Sequence, residues 1–190
     1  ARDDAHAVVE ALAIALDAKH PYTSGHSERV ANLSALIAGN LGYGLEECRF
    51  IHVAGDLHDI GKIGVPDAVL LKDSSLTDEE FASIRRHPEL GFEILSKVTA
   101  LRPFASIVRH HHKRWDGRGY PDGLSGAAIP RFSRIIALAD AYDAMTSNRA
   151  YRLRLSPEAA LREIERGSGA QFEPEVAAAF LDMARAGAVA

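Results

Sequence analysis

Five histidines and two aspartates stand out because of what lies beside them: His26, His58, His87, His111 and His112, with Asp59 directly after His58 and Asp140 inside a helical pattern. A neutral imidazole binds divalent transition metals through a ring nitrogen, and a carboxylate can bridge two cations. An adjacent His-Asp pair near a helix end can therefore serve two ions, His58 binding one and Asp59 reaching across both. His111 and His112 diverge by about 100° if both are helical. They can face one ion only where a helix stops, and a glycine-rich stretch begins just beyond them. Taken singly, each of these residues has a commoner structural role, and their coincidence is what points to metal. His6, His20, His52 and His110 have no such company and are read as surface or packing residues. Cys48 is the lone cysteine, which excludes an intramolecular disulfide and a thiolate cage, so a structural zinc is not expected. Mixed imidazole and carboxylate ligation suits iron, manganese, cobalt or nickel.

The elements that must position these side chains read as helices. Val8, Val9, Leu12, Ile14 and Leu16 suggest an amphipathic first helix that ends before Pro21, a linker or packing helix over residues 1–20 preceding a domain over 21–190. A second helix begins after Thr23–Gly25, carries Val30, Leu33, Leu36 and Ile37, and is broken by Gly42 and Gly44. Residues 46–58 form a third. A loop is expected over Gly61–Pro66. Thr77 is a helix N-cap with Glu80 three residues on, and the short helix runs over 81–86. Pro88 opens another, since proline suits a first helical turn, and a further helix covers 101–110. Residues 115–130 hold four glycines and two prolines and form a long ordered loop, of the sort that usually exists for function. Helices follow over 132–146, 157–166 and 174–186, the last stopping at Gly187. The expected fold is all-α, a single multi-helix domain with no β pattern and no internal repeat.

The composition agrees with a globular domain: 47% hydrophobic and 25% charged residues in 190. A net charge of −4 gives no global positive field for DNA or RNA. No apolar run approaches the roughly 20 residues needed to span a bilayer, and no leader pattern is visible, so no membrane contact and a cytoplasmic location are expected. A chain that opens on Ala1 is expected to be part of a longer protein.

Five segments, in order, resemble one known family. His58–Pro66 (HDIGKIGVP) resembles the signature of the HD phosphohydrolases, and His111–Pro121 (HHKRWDGRGYP) closely resembles the extended signature of the HD-GYP subfamily. Thr23–Val30, Arg85–Gly91 and Ala137–Arg152 match in the same order, so the resemblance spans about Tyr22 to Leu181. An HD pair alone is a weak signal; five ordered segments, one of them spelling Gly119-Tyr120-Pro121, are a strong one. The resemblance implies an HD-domain-like fold, a long GYP loop and phosphodiesterase activity on cyclic di-GMP. It implies one metal on His26, His58, Asp59 and Asp140 and a second on Asp59, His87, His111 and His112, with iron favoured over manganese, cobalt or nickel. Some members carry a glutamate four residues before the first ligand histidine that helps hold a third ion. Tyr22 stands there in this chain, so two metals are expected. The family usually reads HHE where this chain has His111-His112-Lys113, and that lysine is expected to weaken or retune the site.

By the same resemblance Lys62 binds the scissile phosphate and assists the leaving group. Asp143 shares a helix face with Asp140 and would orient a water, a ligand or Lys62 near the substrate. Arg149 and Arg152 are candidates for the other phosphate, because guanidinium grips phosphate in a bidentate manner. Tyr120 would hydrogen-bond phosphate or stack on guanine, while Trp115 is read as packing. The expected partners are cyclic di-GMP, GGDEF-domain synthases, a fused sensor or receiver domain and a second copy of the chain. Two other readings remain at this point: a regulatory module with an inert site, and a hydrolase for another nucleotide, such as cyclic GMP-AMP.

Overall fold

A computed structural model describes residues 9, 11–12, 25–72, 74–147 and 154–188, which are helical with no strand among them. Helix α1 (His26–Asn40) and α2 (Leu45–Leu57) pack as a hairpin. On α1, Val30, Leu33 and Ile37 recur at helical spacing and are buried. The turn between the two helices is closed by Leu41 donating to the Ile37 carbonyl at 3.0 Å, and α2 starts where the Gly44 amide donates to Glu47 at 2.9 Å. A 3₁₀ turn (Ile60–Gly64) and a single helical turn, α3 (Asp67–Leu70), lead to α4 (Asp78–Ile84). Then come α5 (His87–Ser96), α6 (Arg102–His110), α7 (Arg131–Thr146), α8 (Pro157–Gly167) and α9 (Pro174–Arg185).

The main core draws on α1, α2, α6, α7, α8 and α9, with Ile37, Ile51, Ile135, Leu138, Ile164 and Phe180 fully buried. Each such side chain contributes about 2 kcal/mol by leaving water. A second cluster joins Leu57 and Ile60 to Leu95 of α5 and Ala105 and Val108 of α6. Of the helix expected before Pro21, only Val9, Ala11 and Leu12 are among the described residues; they are helical, and Val9 is buried in the second cluster.

The stretch expected as a loop after His58 is different. Lys62 donates its amide to the Asp59 carbonyl at 2.8 Å and Val65 to the Lys62 carbonyl at 3.0 Å, so residues 60–64 wind as a 3₁₀ turn. Its glycines serve close packing: a Cβ on Gly61 would stand 1.9 Å from the His87 carbonyl oxygen. The turn therefore lies directly on the first turn of α5. Thr77 caps α4, its hydroxyl accepting from the Glu80 amide at 3.3 Å while Thr77 donates its own amide to Glu80 at 2.8 Å, and the helix closes at Ile84, two residues before the expected end. Residues 115–130 are irregular apart from a 3₁₀ turn at Gly126–Ala128. They are tied to the α8–α9 connection by Trp115 and Asp116 amides donating to Gln171 and Ala170 carbonyls at 3.1 and 2.8 Å. No helix among the described residues is long and apolar enough to cross a membrane.

Candidate metal centre

The seven donor residues sit at helix ends or on one central helix. His26 opens α1, His58 and Asp59 follow α2, His87 opens α5, His111 and His112 follow α6, and Asp140 lies within α7. Three of the imidazoles are held by one local device. His58 donates from Nδ1 to the Gly55 carbonyl at 2.7 Å, His87 to Ile84 at 2.7 Å and His111 to Val108 at 2.6 Å. A carbonyl only accepts, so the proton sits on Nδ1, and in the neutral ring Nε2 is left with its lone pair. The three lone pairs turn inward. Buried His58 Nε2 has no hydrogen-bond partner, and His87 Nε2 faces His111 Nε2 at 3.2 Å. Two acceptors at that separation cannot bond each other, whereas a cation would satisfy both. This donor set fits metal ions.

Asp59 stands between the two groups. One carboxylate oxygen is 3.2 Å from His87 Nε2, and the other is 3.4 Å from His58 Nε2 and 3.8 Å from His26 Nε2. Asp59, His87, His111 and His112 present ligand atoms within 4.8 Å of one another, and so do His26, His58 and Asp140. The helix ending at His110 allows the 111–112 doublet to converge on the same space. All seven side chains nominated from the sequence are therefore gathered in one place.

The electrostatics are those of a site built for positive charge. Burial opposes ionisation of Asp59, yet Lys62 and then His58 hold its carboxyl well below the usual range. Asp140 is also lowered, the His26 hydrogen bond outweighing burial. Burial alone would lower His26, but its hydrogen bonds to Asp140 and Asp143 hold it up to about 9. His111 is pushed well below its ordinary value by burial and by its neighbour His112, and His112 falls to about 3, mainly through burial. The first group thus attracts a cation through carboxylates, while burial favours the neutral, ligand-ready form of His111 and His112 in the second.

The other nominated residues divide. Lys62 Nζ donates to the Asp59 carboxylate and is 20% exposed, so it reaches both the centre and solvent. Asp143 takes one of the roles expected of it, that of orienting a ligand: its carboxylate accepts from His26 Nδ1 at 2.7 Å and from the Arg29 guanidinium. Tyr120 stacks on His112, ring centroids 4.9 Å apart, and the Arg85 guanidinium carbon lies over the same ring at 4.5 Å. The ring is thus engaged by one of the seven donor histidines and by a cation. Arg149 and Arg152 lie outside the described residues, as does Tyr22. Trp115 packs beneath Arg134, whose guanidinium carbon is 5.6 Å from its ring.

Lys113 is 3% exposed, donates to the carbonyl of Asp122 and forms an ion pair with its carboxylate. The glycine-rich loop is folded back on the doublet here: a Cβ on Gly119 would meet the Arg114 nitrogen and the His112 oxygen at 2.5 Å. Sequence reasoning missed this clamp, and it missed Arg29 and Arg85. The carbonyls that orient His58, His87 and His111 were legible in principle, since each lies three residues before a histidine at a helix terminus. A cavity of about 790 Å³ opens beside Arg29, Asp143, Leu36 and Tyr142, and none of the seven donors lines it.

Comparison with known proteins agrees with this arrangement. The HD domain family matches residues 10–176. The cyclic di-GMP phosphodiesterase response regulator RpfG of Xanthomonas campestris pv. campestris is 42% identical over 90% of this chain and 46% of its own length. The 3′3′-cGAMP-specific phosphodiesterase 3 of Vibrio cholerae is 38% identical over 93% of this chain and 39% of its own. The chain thus spans less than half of each of these relatives. The crystal structure of the cyclic GMP-AMP-specific phosphodiesterase V-cGAP3 of V. cholerae shares the fold, with a TM-score of 0.67 at 22% identity over 95% of this chain and 48% of that one.

Proposed function

We propose that this chain, which belongs to the HD domain family and to its HD-GYP branch, hydrolyses cyclic di-GMP at a centre of two divalent metal ions. The observation that carries the reading is the trio of inward Nε2 lone pairs on His58, His87 and His111, set around a carboxylate that faces both donor groups. One ion would be held by His26, His58, Asp59 and Asp140 and the other by Asp59, His87, His111 and His112, with iron favoured and manganese, cobalt or nickel as substitutes. Such ions supply acidification of the attacking water and neutralisation of charge on the phosphate.

The chain's own residues do the rest. Asp59 holds the two donor groups in register. Asp143 and Arg29 fix the His26 ring, with the proton on Nδ1. Lys62 Nζ, partly exposed beside Asp59, binds the scissile phosphate and donates a proton to the leaving 3′ oxygen. The Tyr120 hydroxyl contacts substrate at the mouth, and Arg149 and Arg152 grip the second phosphate. The product is linear pGpG, GMP or both. We place the reaction in the cytoplasm of a bacterium, in a longer protein with a sensor or receiver domain, with GGDEF-domain synthases and a second copy of the chain as partners.

The test is anaerobic purification, elemental analysis and product chromatography with cyclic di-GMP, beside Asp59→Ala. The variant is expected to lose metal and turnover together; normal hydrolysis by it would disprove the assigned centre. A second reading is favoured by the 38% identity to a cyclic GMP-AMP-specific enzyme, and rates on the two cyclic dinucleotides measured side by side decide between them. Metal and nucleotide binding without any turnover would favour a regulatory module.

A further inference from the structure

Arg85 closes α4 two residues before His87, so one short turn presents both a ligand imidazole and a guanidinium. The guanidinium carbon lies 4.5 Å from the centre of the Tyr120 ring and 6.0 Å from that of Phe81, whose ring is 51% exposed. Tyr120 in turn stacks on His112. A run of side chains thus leads from the surface, through Arg85 and Tyr120, to a donor of the metal centre. The Tyr120 hydroxyl is raised by burial and then by Asp59 and Asp140, which places it within the field of the centre.

Among the described residues, four other basic groups near the site already have carboxylate partners. Lys62 is paired with Asp59, Arg29 with Asp143, Lys113 with Asp122, and Arg109 lies near Glu89 and Asp122. Arg85 is exposed, and among the described residues no carboxylate lies within ion-pair distance of it. A cation held over an aromatic ring keeps its N–H donors, because the ring attracts the charge and accepts no directed bond from the fork. Next to a centre that cuts one phosphodiester, such a group is suited to the second anionic phosphate of a cyclic dinucleotide.

We infer that Arg85 is a substrate-binding residue, contacting the phosphate that is not cut and thereby favouring dinucleotides over diesters with a single phosphate. The inference rests on the phosphodiesterase reading above. Binding of that remote phosphate is made equally in the ground state and the transition state, so its loss raises KM more than it lowers kcat.

The experiment uses metal-loaded wild type, Arg85→Ala, Arg85→Lys and the exposed-neighbour control Arg86→Ala. Each is assayed on cyclic di-GMP and on bis(p-nitrophenyl) phosphate, with metal content and equilibrium binding of cyclic di-GMP measured in parallel. Arg85→Ala is expected to raise KM for cyclic di-GMP by about tenfold or more and to lower by a similar factor the ratio of kcat/KM on the dinucleotide to that on the small diester. Arg85→Lys recovers part of the loss and Arg86→Ala tracks wild type. An unchanged ratio in Arg85→Ala, whether both activities are intact or both fall together, overturns the inference; in the latter case Arg85 only props Tyr120 and His112. A wild type that binds cyclic di-GMP without cutting it sinks the phosphodiesterase reading alone. Binding then decides: about tenfold weaker binding by Arg85→Ala supports the contact and equal binding overturns it. A wild type that neither binds nor cuts overturns both.

Discussion

At the residue scale the centre is governed by protons as much as by metal. His26 is held up to about 9 against an ordinary 6.5. A raised folded-state value stabilises the fold where the group is charged, so this contribution is fully present below pH of about 6.5 and is lost as pH rises through about 9. In chelated protein it amounts to an upper bound on the order of 3 kcal/mol. Urea unfolding of the chelated protein at pH 6 and pH 9 is expected to show it, and His26→Gln is expected to flatten the difference. A metal ion must displace the same proton, so its affinity for the wild type rises across that window. Asp143 acts through His26: Asp143→Asn is expected to weaken metal binding by about 10- to 100-fold, read by competition with a fluorescent chelator, with turnover recovering at high metal concentration.

At the element scale, two close approaches set the geometry. The 3₁₀ turn after Asp59 touches α5 so tightly that Gly61→Ala would drive a methyl into the His87 carbonyl. Because the atoms it would meet, in His87 and Gly91, are backbone, no side-chain rotation relieves the clash. The variant is expected to lose about 2 kcal/mol or more and to bind less metal, measured by thermal unfolding and elemental analysis. The Lys113–Asp122 pair clamps the glycine-rich loop onto the histidine doublet. Asp122 is 41% exposed, so solvent screens the pair and Lys113→Met is expected to cost only about 1–2 kcal/mol. Lys113→Glu places a carboxylate opposite Asp122 and is expected to cost more, with the double variant Lys113→Glu/Asp122→Lys recovering part of the loss. Thermal unfolding of the three proteins provides the check. The lysine expected to retune the metals thus acts on the loop that carries Tyr120.

At the scale of the whole molecule, the donors come from the ends of α1, α2, α5 and α6 and from α7, so a bound cation would tie together elements of both core clusters. Anything that binds the folded state alone stabilises it by mass action, about 2.7 kcal/mol at a hundredfold excess over Kd. Chelation is expected to lower the melting temperature, re-addition of metal to restore it, and Asp59→Ala to abolish the response.

The sequence by itself settled the helical class and most helix limits, and it nominated the seven donor side chains that the fold brings together. These depend on local signals: apolar spacing along each helix, a Thr77 cap, proline at first turns, and a histidine doublet where a helix must stop. It misjudged residues 61–64, where the glycines that looked like loop signals serve a tight turn against α5. Only the tertiary structure decided that Asp143 faces His26 across 117 residues, that Arg85 lies over Tyr120, and that Lys113 is buried on Asp122. Those contacts follow from how the helices pack and how the long loop folds back, and no local propensity encodes the distance between side chains on separate elements.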